Sequence, residues 1–225
     1  MPKHLIFGIG GLIVGLAIGF FGANSINREA AAPQTAAALP QVNAPAGNSP
    51  IAQQGGMQAD VAETIARADA EPQNFAVQMQ TGDMYAKIGK FDRAIEYYNR
   101  GNVLKPGDFQ ANVVLANAYF DSRQFEEAAK FYEKALEVNP SDVNARTDFG
   151  TTFVERRAPD YERAIKEYRA ALEIKPKNEP TLYYLGIAYF RKGDKQNANA
   201  VLSELKKANP TSDLITRLKQ NMSVQ

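Results

Sequence analysis

Cysteine and tryptophan are absent from the 225 residues, and a single histidine, His4, stands near the start. Without cysteine there is no disulfide, thiolate nucleophile, cysteine-ligated zinc, c-type haem attachment or bacterial lipobox. With one histidine, at the edge of an apolar run, neither a histidine-based triad nor a histidine-rich metal site can be assembled in the polar part of the chain. Net charge is lacking too: from Met57 onward 24 Lys/Arg meet 24 Asp/Glu. A nucleic-acid partner needs a basic stripe that replaces counterions on phosphates, so none is expected. The balance is uneven along the chain, about −5 over residues 57–142 and about +5 over 143–225. No nucleophile–base pair, phosphate loop or metal-ligand cluster appears, so neither an enzyme nor a cofactor is expected.

Charge is missing altogether from two stretches. Residues 5–23, LIFGIGGLIVGLAIGFFGA, carry none. As a helix they span about 28 Å, close to the roughly 30 Å hydrocarbon core of a bilayer. A cleaved signal peptide is the rival reading, but its apolar core is shorter and ends at a small-x-small site. Here Phe21 and Ala23 flank Gly22, placing a bulky residue where a small one belongs. An uncleaved single-pass anchor over residues 1–27 is therefore favoured. Lys3 before the run and Arg28 after it give a weak charge bias, read as N-terminus inside and the rest of the chain exported. Gly8, Gly11, Gly15, Gly19 and Gly22 fall on one helical face, a side-chain-free groove suited to a membrane-helix partner or to self-association. Residues 30–56 also lack charge, carry prolines at 33, 40, 45 and 50, and show no periodic apolar face. Residues 28–56 are thus expected to form a disordered tether, averaging roughly 30 Å end to end.

What the remainder has is a period. Pro106, Pro140, Pro176 and Pro210 are separated by 34, 36 and 34 residues. Twelve residues before them stand Ala94, Ala128, Ala164 and Ala198, and eight before them Tyr98, Tyr132, Tyr168 and Leu202. An earlier helix of each unit repeats Gly82 with Tyr85, Ala116 with Tyr119, Gly150 with Phe153 and Gly186 with Tyr189. The two extra residues of the third unit fall in ERRAPDYE, between its helices. Small residues let paired helices approach, aromatics such as Tyr85 and Tyr98 are expected to fill the space between hairpins, and proline ends each second helix. Asp108 and Asn178 are placed to cap the helices that follow.

These residues resemble the signature of the tetratricopeptide repeat family over about residues 73–210. Gln78, Asn112, Arg146 and Leu182 stand where that signature commonly has tryptophan. The resemblance implies an all-α fold: an α-solenoid of four hairpins (73–106, 107–140, 141–176, 177–210). An N-terminal helix over 57–72 precedes it and a capping helix over 211–225 follows, since each unit leaves an apolar face that a neighbour must cover.

The resemblance also implies that the first helix of each unit lines a concave groove. Its inward residues would include Met79 and Asp83, then Gln110, Val113, Asn117, Phe120 and Asp121, then Thr147 and Thr151, then Tyr183, Ile187, Phe190 and Arg191. Some relatives grip a terminal carboxylate there with Lys, Asn and Arg. Met79, Asp83, Val114 and Asp148 occupy those places here, so that clamp is missing. Met79, Val113, Phe120, Tyr183, Ile187 and Phe190 point to an apolar groove for a hydrophobic segment or helix. The expected function is a membrane-anchored interaction scaffold or assembly factor, with a build similar to bacterial envelope factors. The alternative is a structural accessory subunit held in a larger membrane complex by its Gly-faced helix.

Overall fold

A computed structural model describes residues 61–223. The expected anchor with its five aligned glycines, the tether, and residues 57–60 of the N-terminal helix lie outside the described residues. Among the described residues there are ten helices and no strand. Helix α1 runs through 61–70, followed by α2 (Phe75–Lys87), α3 (Phe91–Leu104), α4 (Phe109–Asp121) and α5 (Phe125–Val138). Then come α6 (Val143–Glu155), α7 (Tyr161–Ile174), α8 (Glu179–Arg191), α9 (Lys195–Ala208) and α10 (Asp213–Ser223). None of these helices is long and apolar enough to cross a membrane.

Each even helix from α2 to α8 starts in the same way. The side chains of Asn74, Asp108, Asp142 and Asn178 accept the backbone N–H three residues on, at 2.8 to 3.3 Å, removing one orphan donor per helix. The odd helices α3 to α9 stop two residues before a proline: Lys105, Asn139, Lys175 and Asn209 leave helical geometry, and Pro106, Pro140, Pro176 and Pro210 follow. Within two hairpins the reversal needs a left-handed residue, which Gly89 (φ +72°) and Gly193 (φ +89°) supply without strain. The second hairpin uses Arg123 at φ +63°, and the third turns through its longer ERRAPDYE segment.

Side-chain size sets the pairing. Ala94, Ala128, Ala164 and Ala198 are wholly buried at the crossings. Gly82 and Gly150 accept the flat faces of Tyr98 and Tyr168, so close that an added Cβ would sit 2.4 and 2.8 Å from those rings. Tyr98 is therefore seated against its own hairpin, and it shares one buried cluster with Tyr85, Tyr97 and, from the next hairpin, Leu115 and Ala118. Tyr85 likewise stacks on Tyr97 of its own hairpin, at 5.6 Å between centroids. Contacts between hairpins include Asn99, which donates to the Tyr119 hydroxyl (3.1 Å), and Tyr168, at the position of Tyr98, which stacks on Tyr184 (6.3 Å).

The polar residues at the tryptophan positions have a role that composition alone does not reveal. Each sits six residues after a proline and ties the preceding turn. Gln78 donates to the carbonyls of Ala68 (2.7 Å) and Glu71 (3.1 Å), Asn112 to that of Pro106 (2.9 Å), and Arg146 to that of Pro140 (2.8 Å). Gln78 and Asn112 are fully buried, so these bonds satisfy donors that would otherwise be costly to enclose. Gln78 also fixes α1 onto the first hairpin, helped by an Arg100–Asp69 ion pair at 2.9 Å.

Candidate protein-binding groove

The expected groove residues lie on α2, α4, α6 and α8, and the structure divides them into two sets. On α2 and α4, Asp83 and Gln110 are exposed, and Met79, Val113, Asn117 and Asp121 are half-buried. Of the other seven, six are buried in the solenoid, and Arg191 is exposed but paired. Phe120 is 8% exposed and meets Phe125 edge-on at 5.1 Å, closing the tip of the second hairpin. Thr147 is 2% exposed, and its hydroxyl shares a 2.7 Å hydrogen bond with that of Thr181. Thr151 bonds the Tyr168 hydroxyl at 3.0 Å, and Arg191 pairs with Glu155 at 2.7 Å. Tyr183, Ile187 and Phe190 are 8 to 9% exposed.

An exposed aromatic groove along all four units is thus corrected: its aromatic half is covered. Two causes are visible. Helices α6 and α8 approach more closely than α2 and α4 or α4 and α6 do, bridged by the Thr147–Thr181 bond and the Glu155–Arg191 pair. Beyond them, α10 lies against α8. Leu218 meets Gly186, the Arg217 guanidinium stands 5.5 Å over the Tyr183 ring, and Asn221 donates to the Tyr183 hydroxyl at 3.2 Å.

The floor of the groove is held from behind by a device repeated in three units. A tyrosine of the second helix passes its hydroxyl through to a polar residue of the first: Tyr98 donates to Asp83 (2.6 Å), Tyr132 to Asn117, and Tyr168 pairs with Thr151. In the fourth unit both partners become apolar, Leu202 and Ile187, so loss of the hydroxyl is matched by loss of its acceptor. Sequence reasoning missed this coupling, although the paired substitution was there to read.

Electrostatically the middle of the groove is acidic. Asp148, half-buried on α6, has its carboxyl pushed up to about 7, first by burial and then by the charges of Asp142 and Asp121. Burial also pushes the Tyr132, Tyr168 and Tyr184 hydroxyls up, with Asp148 adding to each. Asp148 occupies one of the positions where a carboxylate-gripping relative needs a donor. An acid there, next to Asp121, offers a terminal carboxylate no cationic partner.

Models of the tetratricopeptide repeat match residues 58–109, 112–142, 160–193 and 181–212, together more than half of the chain. The chain is a tetratricopeptide repeat protein. No curated protein matches it. Among solved structures it is similar to a crystal structure of MamA, at 21% identity and a TM-score of 0.63 over 71% of this chain and 92% of that one. MamA from Desulfovibrio magneticus RS-1 shares 19% identity at a TM-score of 0.63, covering 72% of this chain and 90% of that one. The MamA MSR-1 structure shares 25% at 0.58, covering 74% and 91%. These likenesses show the fold. Tetratricopeptide repeat proteins generally bind protein partners, and here the positions of Met79 and Asp83 keep exposure on α2 and α4 but are buried on α6 and α8.

Proposed function

We propose that this tetratricopeptide repeat chain is a non-enzymatic scaffold that holds a protein segment against the open concave stretch of α2 and α4. The observation that carries the reading is the asymmetry of the groove. Met79, Asp83, Val113 and Asn117 keep some exposure on adjacent first helices, while their equivalents in units three and four, Thr147, Thr151, Tyr183 and Ile187, are buried. The open stretch combines Val113, and the part of Met79 not packed against Gly101 of α3, with carboxylates and amides, a surface suited to an uncharged or basic segment with one or two apolar anchors. The acidic floor disfavours a C-terminal carboxylate. In our reading residues 5–23 anchor the chain in a membrane, inner or cytoplasmic, with the repeats exported, in the manner of envelope assembly factors.

The test is site-specific photocrosslinking in cells, with a photoreactive residue placed at Met79, Val113 or Lys130. Lys130 is exposed on α5, outside the groove positions. Discrete partner adducts are expected from positions 79 and 113 and none from 130. Equal adducts from all three positions would refute the groove. The five aligned glycines favour the second reading, an accessory subunit bound through its membrane helix. Purification in mild detergent separates the two, since a subunit gives a constant, salt-resistant complex and a scaffold gives substoichiometric clients. Protease protection in intact and opened cells tests the export of the repeats.

A further inference from the structure

The C-terminal helix does more than continue the stack. Inside the solenoid, the main contact from one hairpin to the next is a first helix on the second helix before it: α4 on α3, α6 on α5, α8 on α7. Helix α10 departs from that rule and packs more on α8 than on α9, over the side of unit four where the groove residues lie. What it fills there is a recess that other units fill for themselves. In units one and three, the ring against the helix-crossing glycine belongs to the same hairpin: Tyr98 on Gly82 and Tyr168 on Gly150. In unit four the tyrosine is replaced by Leu202, and the atoms nearest Gly186 come from Leu218 of α10, 2.8 Å from an added Cβ.

The seat is small and one-sided. Leu214, Ile215 and Leu218 are the buried residues of α10, Arg217 lies over Tyr183, and Asn221 bonds its hydroxyl. Thr216, Lys219 and Gln220 on the other face are exposed. At 11 residues the helix is too short to be stable alone in water, so its order depends on this seat.

We propose that unit four carries a second binding site, that α10 occupies it as an internal ligand, and that a partner's amphipathic helix of the same chemistry takes α10's place. That chemistry is leucine or isoleucine at three positions of one face, with an arginine beside them to lie over Tyr183. The site is distinct from the open stretch of α2 and α4, so either can fail without the other.

The probe is a fluorescent peptide of residues 211–223, titrated by anisotropy against the full-length protein in detergent. Two full-length variants unseat α10 to different degrees. Leu218→Asp removes the side chain from the Gly186 recess, and the double variant Arg217→Ala, Asn221→Ala loosens the contacts to Tyr183 while leaving the leucines. The expected result is peptide binding at least tenfold tighter to Leu218→Asp than to the unsubstituted protein, with an intermediate gain for the double variant. A peptide carrying the same Leu218→Asp change should not bind. If both variants stay helical and neither binds the peptide better than the unsubstituted protein does, α10 is a fixed cap and the proposal is wrong. It is equally wrong if loosening α10 by the double variant melts the whole solenoid.

Discussion

Replacing Asp148 by asparagine isolates one charge on the concave side of the solenoid. Its carboxyl titrates at about 7 in the folded chain, against an ordinary 3.8, because burial and the neighbouring Asp142 and Asp121 disfavour the anion. In the unfolded chain it ionises near the ordinary value. Between about pH 4 and 7 the folded state therefore holds a proton that the unfolded state has released, and stability falls as pH rises. The favourable contribution of the protonated acid is complete below the unfolded value and gone once pH has passed about 7. At 1.36 kcal/mol per pH unit the displacement sets an upper bound of about 4 kcal/mol. Water reaching the half-buried side chain lowers this to about 1–3 kcal/mol. Asparagine keeps the shape and carries no charge at any pH. Urea unfolding of both proteins from pH 4 to 9 should show nearly equal stability at pH 4. The variant should gain through pH 5–7 and level off above about pH 8, since the other carboxylates cancel in the difference. A gap that does not change with pH, or a variant less stable at pH 8.5, would refute the assignment of that charge.

Other substitutions test the packing. Ala128→Leu should overpack a fully buried crossing and cost about 1–3 kcal/mol, whereas Glu127→Leu, on a half-exposed position of the same helix, should change the urea midpoint little. Phe120→Ala and Phe190→Ala should each cost about 3 kcal/mol or more, because both rings are 8% exposed. Thermal melts that left either alanine variant unchanged would return those rings to the groove surface.

The periodic part of the fold was legible because its determinants are local: alanine or glycine at a crossing, an aromatic four residues on, a proline after the helix. Which groove positions stay open was not, because that depends on contacts across long separations. Tyr183 is covered by Arg217 and Asn221, and Thr147 finds its partner at Thr181. No pattern within one unit specifies how closely α6 and α8 approach or where α10 comes to lie. The polar residues at the tryptophan positions were visible as departures. Their attachment to the turn carbonyls follows only once the turn's geometry is known.

The staples between α6 and α8 have a mechanical consequence. A superhelical coil yields by spreading its inner edge, and here the inner edge is pinned at both ends of one helix pair, by Thr147–Thr181 and by Glu155–Arg191. Load on the chain is thus expected to concentrate its strain toward the N-terminal coils. The solenoid is a spring with one stiffened half, and its compliant half is the one whose inner residues are still accessible.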